Sequence, residues 1–237
     1  MTSYGLVGSK LGLHEESLGA CVGCGLCLPH CPTYRVTGDE RRSPRGRIAL
    51  MRIVDSGLAE ANDEWFAAMD TCIQCRGCES ACPSAVPFGD LIVTTRSSTL
   101  EAHPPPLRVR VGLWILTRPR WLRICTAFLA LLQRIRLLDW VGALPPNLPI
   151  RARTSNAEVS GDVILFTGCV MDTWMPHIHD ATQRVIEETG AKIKRSGSDA
   201  GCCGALHQHA GLASEAKSFA MQVINATRGD QKILVNS

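Results

Sequence analysis

Two rhythms of apolar and polar residues divide the chain. In Pro44-Arg45-Gly46-Arg47-Ile48-Ala49-Leu50-Met51-Arg52-Ile53-Val54 the apolar positions fall at helical spacing, with Pro44 at a helix start. Residues 63–69 read as a second helix, and Gly89-Asp90 opens a third with Asp90 as its N-cap. The stretch His103-Pro104-Pro105-Pro106 ends this part. After Pro145-Pro146-Asn147-Leu148-Pro149 the pattern changes. Residues 162–166, 191–194 and 232–235 read as strands, and residues 173–189 and 211–228 as helices between them, with Gly190 closing the first. Such alternation with short connections implies a parallel α/β unit. The expectation is α+β overall: a helical part over residues 1–103, a basic helical linker over 104–155 and the α/β unit over 156–237.

Charge changes the picture only in the linker. From residue 107 to 153 there are nine arginines and one acidic residue, Asp139. Arg120, Arg123 and Arg134 share a helix face with Ala127 and Ala130, opposite Leu122, Ile124, Phe128, Leu129, Leu131 and Leu132. A basic amphipathic helix of this kind suits an anionic membrane surface. The plainer reading packs its apolar side on the protein or on a partner subunit, with Cys125 as a small core residue. The longest apolar run, residues 124–132, is well short of the roughly 18 residues of a membrane span. A net charge of +3 over 237 residues implies no nucleic acid partner. The opening Met1-Thr2-Ser3-Tyr4-Gly5-Leu6 has neither a basic nor an apolar run. Twelve cysteines then point to a cytoplasmic metalloprotein, with at most a peripheral contact on the inner face of the cell membrane.

Eight of the twelve cysteines fall into two identical runs, Cys21-x₂-Cys24-x₂-Cys27-x₃-Cys31-Pro32 and Cys72-x₂-Cys75-x₂-Cys78-x₃-Cys82-Pro83. Cysteines three residues apart drift by roughly 60° per step around an α-helix, so each run must wrap as a loop. Gly23, Gly25 and Gly77 suit such a loop. Structural zinc favours paired C-x₂-C knuckles separated by a longer gap, not a tight triple followed by Cys-Pro. The spacing is that of the bacterial ferredoxin run, in which the fourth cysteine of each run serves the other cluster. That likeness implies two [4Fe–4S] clusters, one on Cys21, Cys24, Cys27 and Cys82, the other on Cys72, Cys75, Cys78 and Cys31. Exchanged ligands favour a path for electrons over a purely structural cluster.

A second cysteine group lies in the α/β unit. Gly168-Cys169 follows its first strand, and Gly201-Cys202-Cys203-Gly204 follows its second, both at carboxyl ends, where open α/β sheets build their sites. Cys169, Cys202 and Cys203 are a candidate metal or cluster site, against the alternative of buried or redox-active thiols. His207 and His209 stand nearby, as histidines at a helix entrance commonly do.

Taken together, Cys21-Val22-x-Cys24-Gly25-x-Cys27-x₃-Cys31-Pro32-Thr33-Tyr34, Gly38-Asp39-Glu40, Pro44-Arg45-Gly46-Arg47-Ile48, the second run through Ser84, Gly168-Cys169 and Ala200-Gly201-Cys202-Cys203-Gly204-Ala205 resemble the bacterial glycolate oxidase iron–sulfur subunit family. The resemblance implies a two-cluster ferredoxin-type domain followed by a CCG, cysteine-rich repeat. It implies an FAD-containing dehydrogenase subunit as partner, which oxidises a 2-hydroxy acid such as glycolate. Electrons would pass through the two clusters to a quinone or another acceptor. No G-x-G-x-x-G joins a strand to a helix, so no flavin or nicotinamide site is expected on this chain. Related families leave two alternatives: a catalytic CCG protein of heterodisulfide reductase type, or the iron–sulfur subunit of a lactate or glycerol-3-phosphate dehydrogenase. A redox-sensing or scaffold module is a third. Family members carry two CCG repeats. This chain ends at Asn236-Ser237 within the first, so it reads as an amino-terminal portion with an incomplete CCG site.

Overall fold

The computed structural model describes residues 11–137, 145, 147–151 and 161–236. The readings that involve Met1 to Leu6, Asp139, Pro146, Arg153, the 155/156 boundary and Ser237 lie outside them. Two compact units emerge. The first takes the described residues up to Pro105 together with Leu206–Ala213; the second takes Pro106–Ala205 and Ser214 onward.

In the first unit each helix begins where local chemistry starts it. Ser43 caps the helix Pro44–Asp55 by accepting a hydrogen bond from the Gly46 amide at 2.9 Å, and Pro44 has no amide to leave unpaired. Gly46 is required there: a Cβ would sit 1.9 Å from the Glu40 carbonyl oxygen. Asn62 caps the helix Asp63–Asp70 through the Trp65 amide at 2.9 Å, with Asp63 and Glu64 in its first turn. The third helix runs Phe88–Ser98 and starts earlier than expected. Asp90 lies in its first turn and does not cap it; the Glu79 carboxylate instead accepts from the Gly89 amide at 2.6 Å. Ile48, Met51, Val54, Trp65, Phe66, Met69, Phe88, Leu91 and Ile92 form one core. Cys78 is buried in that core, and Cys21, Cys27, Cys72 and Cys82 pack against it. Burying this apolar surface holds the cysteine loops as well as the helices.

The second unit holds three parallel strands, β1 (Val163–Phe166), β2 (Ile193–Arg195) and β3 (Lys232–Val235), in the order β2-β1-β3. Val163 lies opposite Ile193 on one side and Lys232 on the other. The helix expected over 173–189 is broken into Val170–Trp174 and Pro176–Glu187. Pro176 is the cause: proline disfavours helical backbone in the residue before it, and Met175 sits at φ −132°, ψ 47°. The helix expected over 211–228 runs Ala213–Ala226.

The stretch read as a linker supplies two helices of this unit, Leu107–Leu116 and Pro119–Arg134. The second buries only a narrow stripe, Leu122, Thr126 and Ala130. Thr126 is fastened from outside its own helix, because its hydroxyl accepts from the Trp174 indole at 2.9 Å. Ile124, Phe128 and Leu131, expected on the packed side, are exposed along with Trp121.

Candidate iron–sulfur sites

The two cysteine runs follow the same backbone path. Gly23 and Gly25 occupy the left-handed region at φ 72° and 85°, and Gln74 and Arg76, at the matching positions of the second run, do so at φ 54° and 57°. Left-handed turns between successive cysteines keep the three sulfurs on the inside of the loop. Only the first run uses glycine for this.

The sulfurs gather across the runs. Cys21, Cys24, Cys27 and Cys82 line one hollow of about 300 Å³, with Arg45 and Pro83 at its wall. Cys31, Cys72, Cys75 and Cys78 line another of about 370 Å³, walled by Arg47, Phe88 and Ile92. Each hollow thus takes three cysteines from one run and the fourth from the other. Among the described residues no three His, Cys, Asp or Glu side chains converge closely enough to hold a single metal ion. Four sulfurs spread around a hollow fit a cubane cluster, which needs one thiolate per iron.

Burial governs the protonation of two of these thiols, Cys78 and Cys27. It pushes Cys78 up to about 12, with the charges of Cys72 and Glu79 adding to the effect. It also raises Cys27, against a lowering by the backbone amides around it and with Cys21 and Cys24 adding to the rise. Ligation must displace those protons, so cluster assembly releases acid.

Arginines fasten both loops. Arg45 donates to the Gly23 carbonyl at 2.9 Å and to Glu40 at 2.6 Å. Arg52 donates to the Cys21 carbonyl at 2.8 Å. Arg47 is fully buried and reaches Ala68 O at 2.8 Å, the Thr33 and Thr71 hydroxyls at 3.1 Å each, and Cys31 Sγ at 4.0 Å. Arg96 donates to the carbonyl oxygens of Met69 and Cys72 at 2.7 Å and of His209 at 2.6 Å. In the sequence, Pro44-Arg45-Gly46-Arg47 reads as a helix start and as one motif of the family resemblance, with no role for its arginines. Two arginines two positions apart, on either side of a glycine, are the available sign that the motif serves both hollows.

The cysteine group of the α/β unit sits at the strand ends. β1 is central, with β2 and β3 on either side, and Cys169 and Cys202 follow the carboxyl ends of β1 and β2, the edge at which open α/β sheets build their sites. Cys169 and Cys202 line a hollow of about 530 Å³ there, together with Leu116, Leu122, Asp172 and Phe219. Cys203 is exposed and does not line it, so two sulfurs meet where three were expected. The cause is the chain direction: adjacent residues project differently, and Gly204 at φ 80° is pressed against Ala216, whose carbonyl oxygen would lie 2.6 Å from a Cβ. The Cys169 thiol donates to Cys202; this brings Cys202 down to about 6 and, with burial, raises Cys169. His179, fully buried behind the site, donates from Nε2 to Thr167 O at 3.0 Å and accepts at Nδ1 from Asn236 at 3.0 Å. His207 and His209 belong instead to the segment that joins the first unit. Gly211 lets that segment approach, since a Cβ there would be 2.8 Å from Arg96 O.

Comparison with known proteins finds matches to two parts of the chain. Residues 17–86 match a family described as a 4Fe-4S dicluster domain, and residues 163–237 match one described as a cysteine-rich domain. The chain is 32% identical to the probable glycolate oxidase iron–sulfur subunit of Bacillus subtilis, over 92% of this chain and 55% of that one. It is 34% identical to the glycolate oxidase iron–sulfur subunit of Escherichia coli, over 82% and 48%. To a component of the dihydromethanophenazine:CoB–CoM heterodisulfide reductase of Methanosarcina mazei it is 26% identical, over 79% and 46%. The chain thus spans about half the length of these relatives. No solved structure matches it. The chain thus carries a 4Fe-4S dicluster domain followed by a cysteine-rich domain, and over most of its own length it is similar to glycolate oxidase iron–sulfur subunits.

Proposed function

We propose that this protein is the electron-carrying component of a glycolate or other 2-hydroxy-acid dehydrogenase. Cys21, Cys24, Cys27 and Cys82 hold one [4Fe–4S] cluster, and Cys31, Cys72, Cys75 and Cys78 hold the second. Bound clusters supply one-electron redox chemistry. The residues supply the rest: eight thiolates ligate, the core around Cys78 excludes water, and Arg45, Arg47, Arg52 and Arg96 fix the loops. An FAD-containing partner subunit performs the substrate oxidation, and a quinone or another acceptor takes the electrons. The observation that carries this reading is the pair of hollows, each lined by four cysteines with one exchanged between runs.

The reading extends to place. A cytoplasmic protein with a peripheral contact on the inner face of the membrane accounts for the exposed Trp121, Ile124, Phe128 and Leu131 on an arginine-rich helix. None of the described helices is long and apolar enough to cross a membrane.

A second reading, thiol chemistry of heterodisulfide reductase type at Cys169 and Cys202, is favoured by one observation: the hydrogen bond that keeps Cys202 ready to ionise. Turnover separates the two. A carrier reconstituted without oxygen shows reducible clusters, binds about eight irons and turns over glycolate only when a flavoprotein subunit is added. Reduction of a disulfide substrate by the chain alone, at a rate lost in Cys202→Ser, overturns the carrier reading.

A further inference from the structure

Arg47 is a charge in an unusual place. It is 1% exposed, and its hydrogen-bond partners are a carbonyl oxygen, two hydroxyls and a sulfur. No carboxylate pairs with it among the described residues. A guanidinium does not shed its proton inside a protein, and a buried charge is costly unless an opposite charge answers it. The negative chemistry within reach is the thiolate set that begins at Cys31 Sγ, 4.0 Å away. Arg47 also forms part of the wall of the hollow that Cys31, Cys72, Cys75 and Cys78 line.

The hollow lined by Cys21, Cys24, Cys27 and Cys82 has no buried charge of this kind in its wall. Of the guanidiniums beside it, Arg52 is exposed and bound to the Cys21 carbonyl at 2.8 Å, and Arg45 is bound to the Glu40 carboxylate at 2.6 Å with 33% of its side chain exposed. Both the carboxylate and water offset its field. The two sites have the same ligand chemistry and unequal surroundings.

We propose that Arg47 is the built-in counter-charge of the Cys31, Cys72, Cys75 and Cys78 site and holds the cluster there at a higher reduction potential than its twin. Net charge, hydrogen bonds to sulfur and exposure set cluster potentials. Reduction adds negative charge, and a fixed buried cation with an N–H directed at a ligand sulfur stabilises that added charge. Electrons then settle preferentially on the site that Arg47 faces. This rests on the crossed ligand sets proposed above.

The test is an anaerobic redox titration of the reconstituted full chain, followed by electron paramagnetic resonance. Cys75→Ser marks the signal of the Arg47-facing site. Arg47→Gln keeps an amide donor and removes the charge. The reduction equilibrium of the marked cluster is expected to fall at least tenfold, about 59 mV for one electron, while the other stays within threefold. Arg47→Lys, which keeps the charge, retains most of the parent value. A marked cluster that stays within threefold of parent in Arg47→Gln overturns the proposal, as does an equal fall in both clusters. If Arg47→Gln assembles no clusters, the exposed Glu40→Gln decides the matter. Freeing Arg45 of its carboxylate must raise the other cluster's potential, and an unchanged value there overturns the charge account. Wrong ligand sets show themselves separately, because Cys31→Ser and Cys75→Ser would then disturb different signals.

Discussion

The two cysteine runs have identical spacing and reach the same backbone path by different residues. The first enters the left-handed region twice with glycine, at Gly23 and Gly25; the second does so with Gln74 and Arg76. A left-handed non-glycine residue costs about 1–2 kcal/mol. The second run offsets that with side-chain bonds. Arg76 donates to Glu79 at 2.6 Å, Glu79 also accepts from the Gly89 amide, and Gln74 Nε2 donates to His209 O at 3.4 Å. The difference teaches that the ligand geometry dictates the loop, and that glycine is only the cheaper way to make it.

The largest effect comes from breaking the first run alone. Gly25→Val puts a β-branched residue at φ 85°, where even a Cβ would lie 2.7 Å from Arg45 Nη1. The Cys21, Cys24, Cys27 and Cys82 site should fail while its twin survives, so iron content falls from about eight to about four per chain. Iron and sulfide analysis checks this, and loss of all iron would mean that the two runs assemble as one.

A second contrast sets the cluster unit against the α/β unit, which rests on its own hydrogen bonds. Burial lowers the His179 pKa below its ordinary 6.5, so the unfolded chain takes up the proton first as pH falls. Stability of this unit is therefore full above about pH 6.5 and declines as pH drops towards the folded value, by at most about 1.4 kcal/mol per pH unit. Urea unfolding at pH 7 and 5 measures it. His179→Gln should flatten the profile.

Smaller effects sharpen the comparison of the loops. Gly23→Ala meets no atom within 4 Å, so its cost is purely conformational, about 1 kcal/mol in denaturant unfolding. Gln74→Gly relieves the same strain in the second run but gives up the bond to His209 and adds unfolded-state freedom. Its net effect should stay within about 0.5 kcal/mol of zero.

Much of this was legible in the sequence. The cysteine spacing carried the loops, Pro44 and the following apolar period carried their helix, and three short apolar runs carried the parallel strands. What was not legible depends on distant contacts. Nothing local shows that Arg47 is buried, because its partners Ala68 and Thr71 lie more than twenty positions away. The basic stretch read as a linker became part of the second unit because Thr126 meets Trp174 across 48 positions. Residues 206–213 joined the first unit through Gly211 and the Arg96 carbonyl, a fit that depends on a missing Cβ. The Asp90 cap failed because Glu79 had taken the helix entrance.

The central claim is that each site draws its fourth ligand from the other run. Electron paramagnetic resonance of three reconstituted variants, Cys24→Ser, Cys75→Ser and Cys31→Ser, tests it most directly. The account expects Cys31→Ser to alter the signal that Cys75→Ser alters and to leave intact the one that Cys24→Ser alters. If Cys31→Ser and Cys24→Ser disturb the same signal, each run holds its own cluster and the crossed arrangement is contradicted.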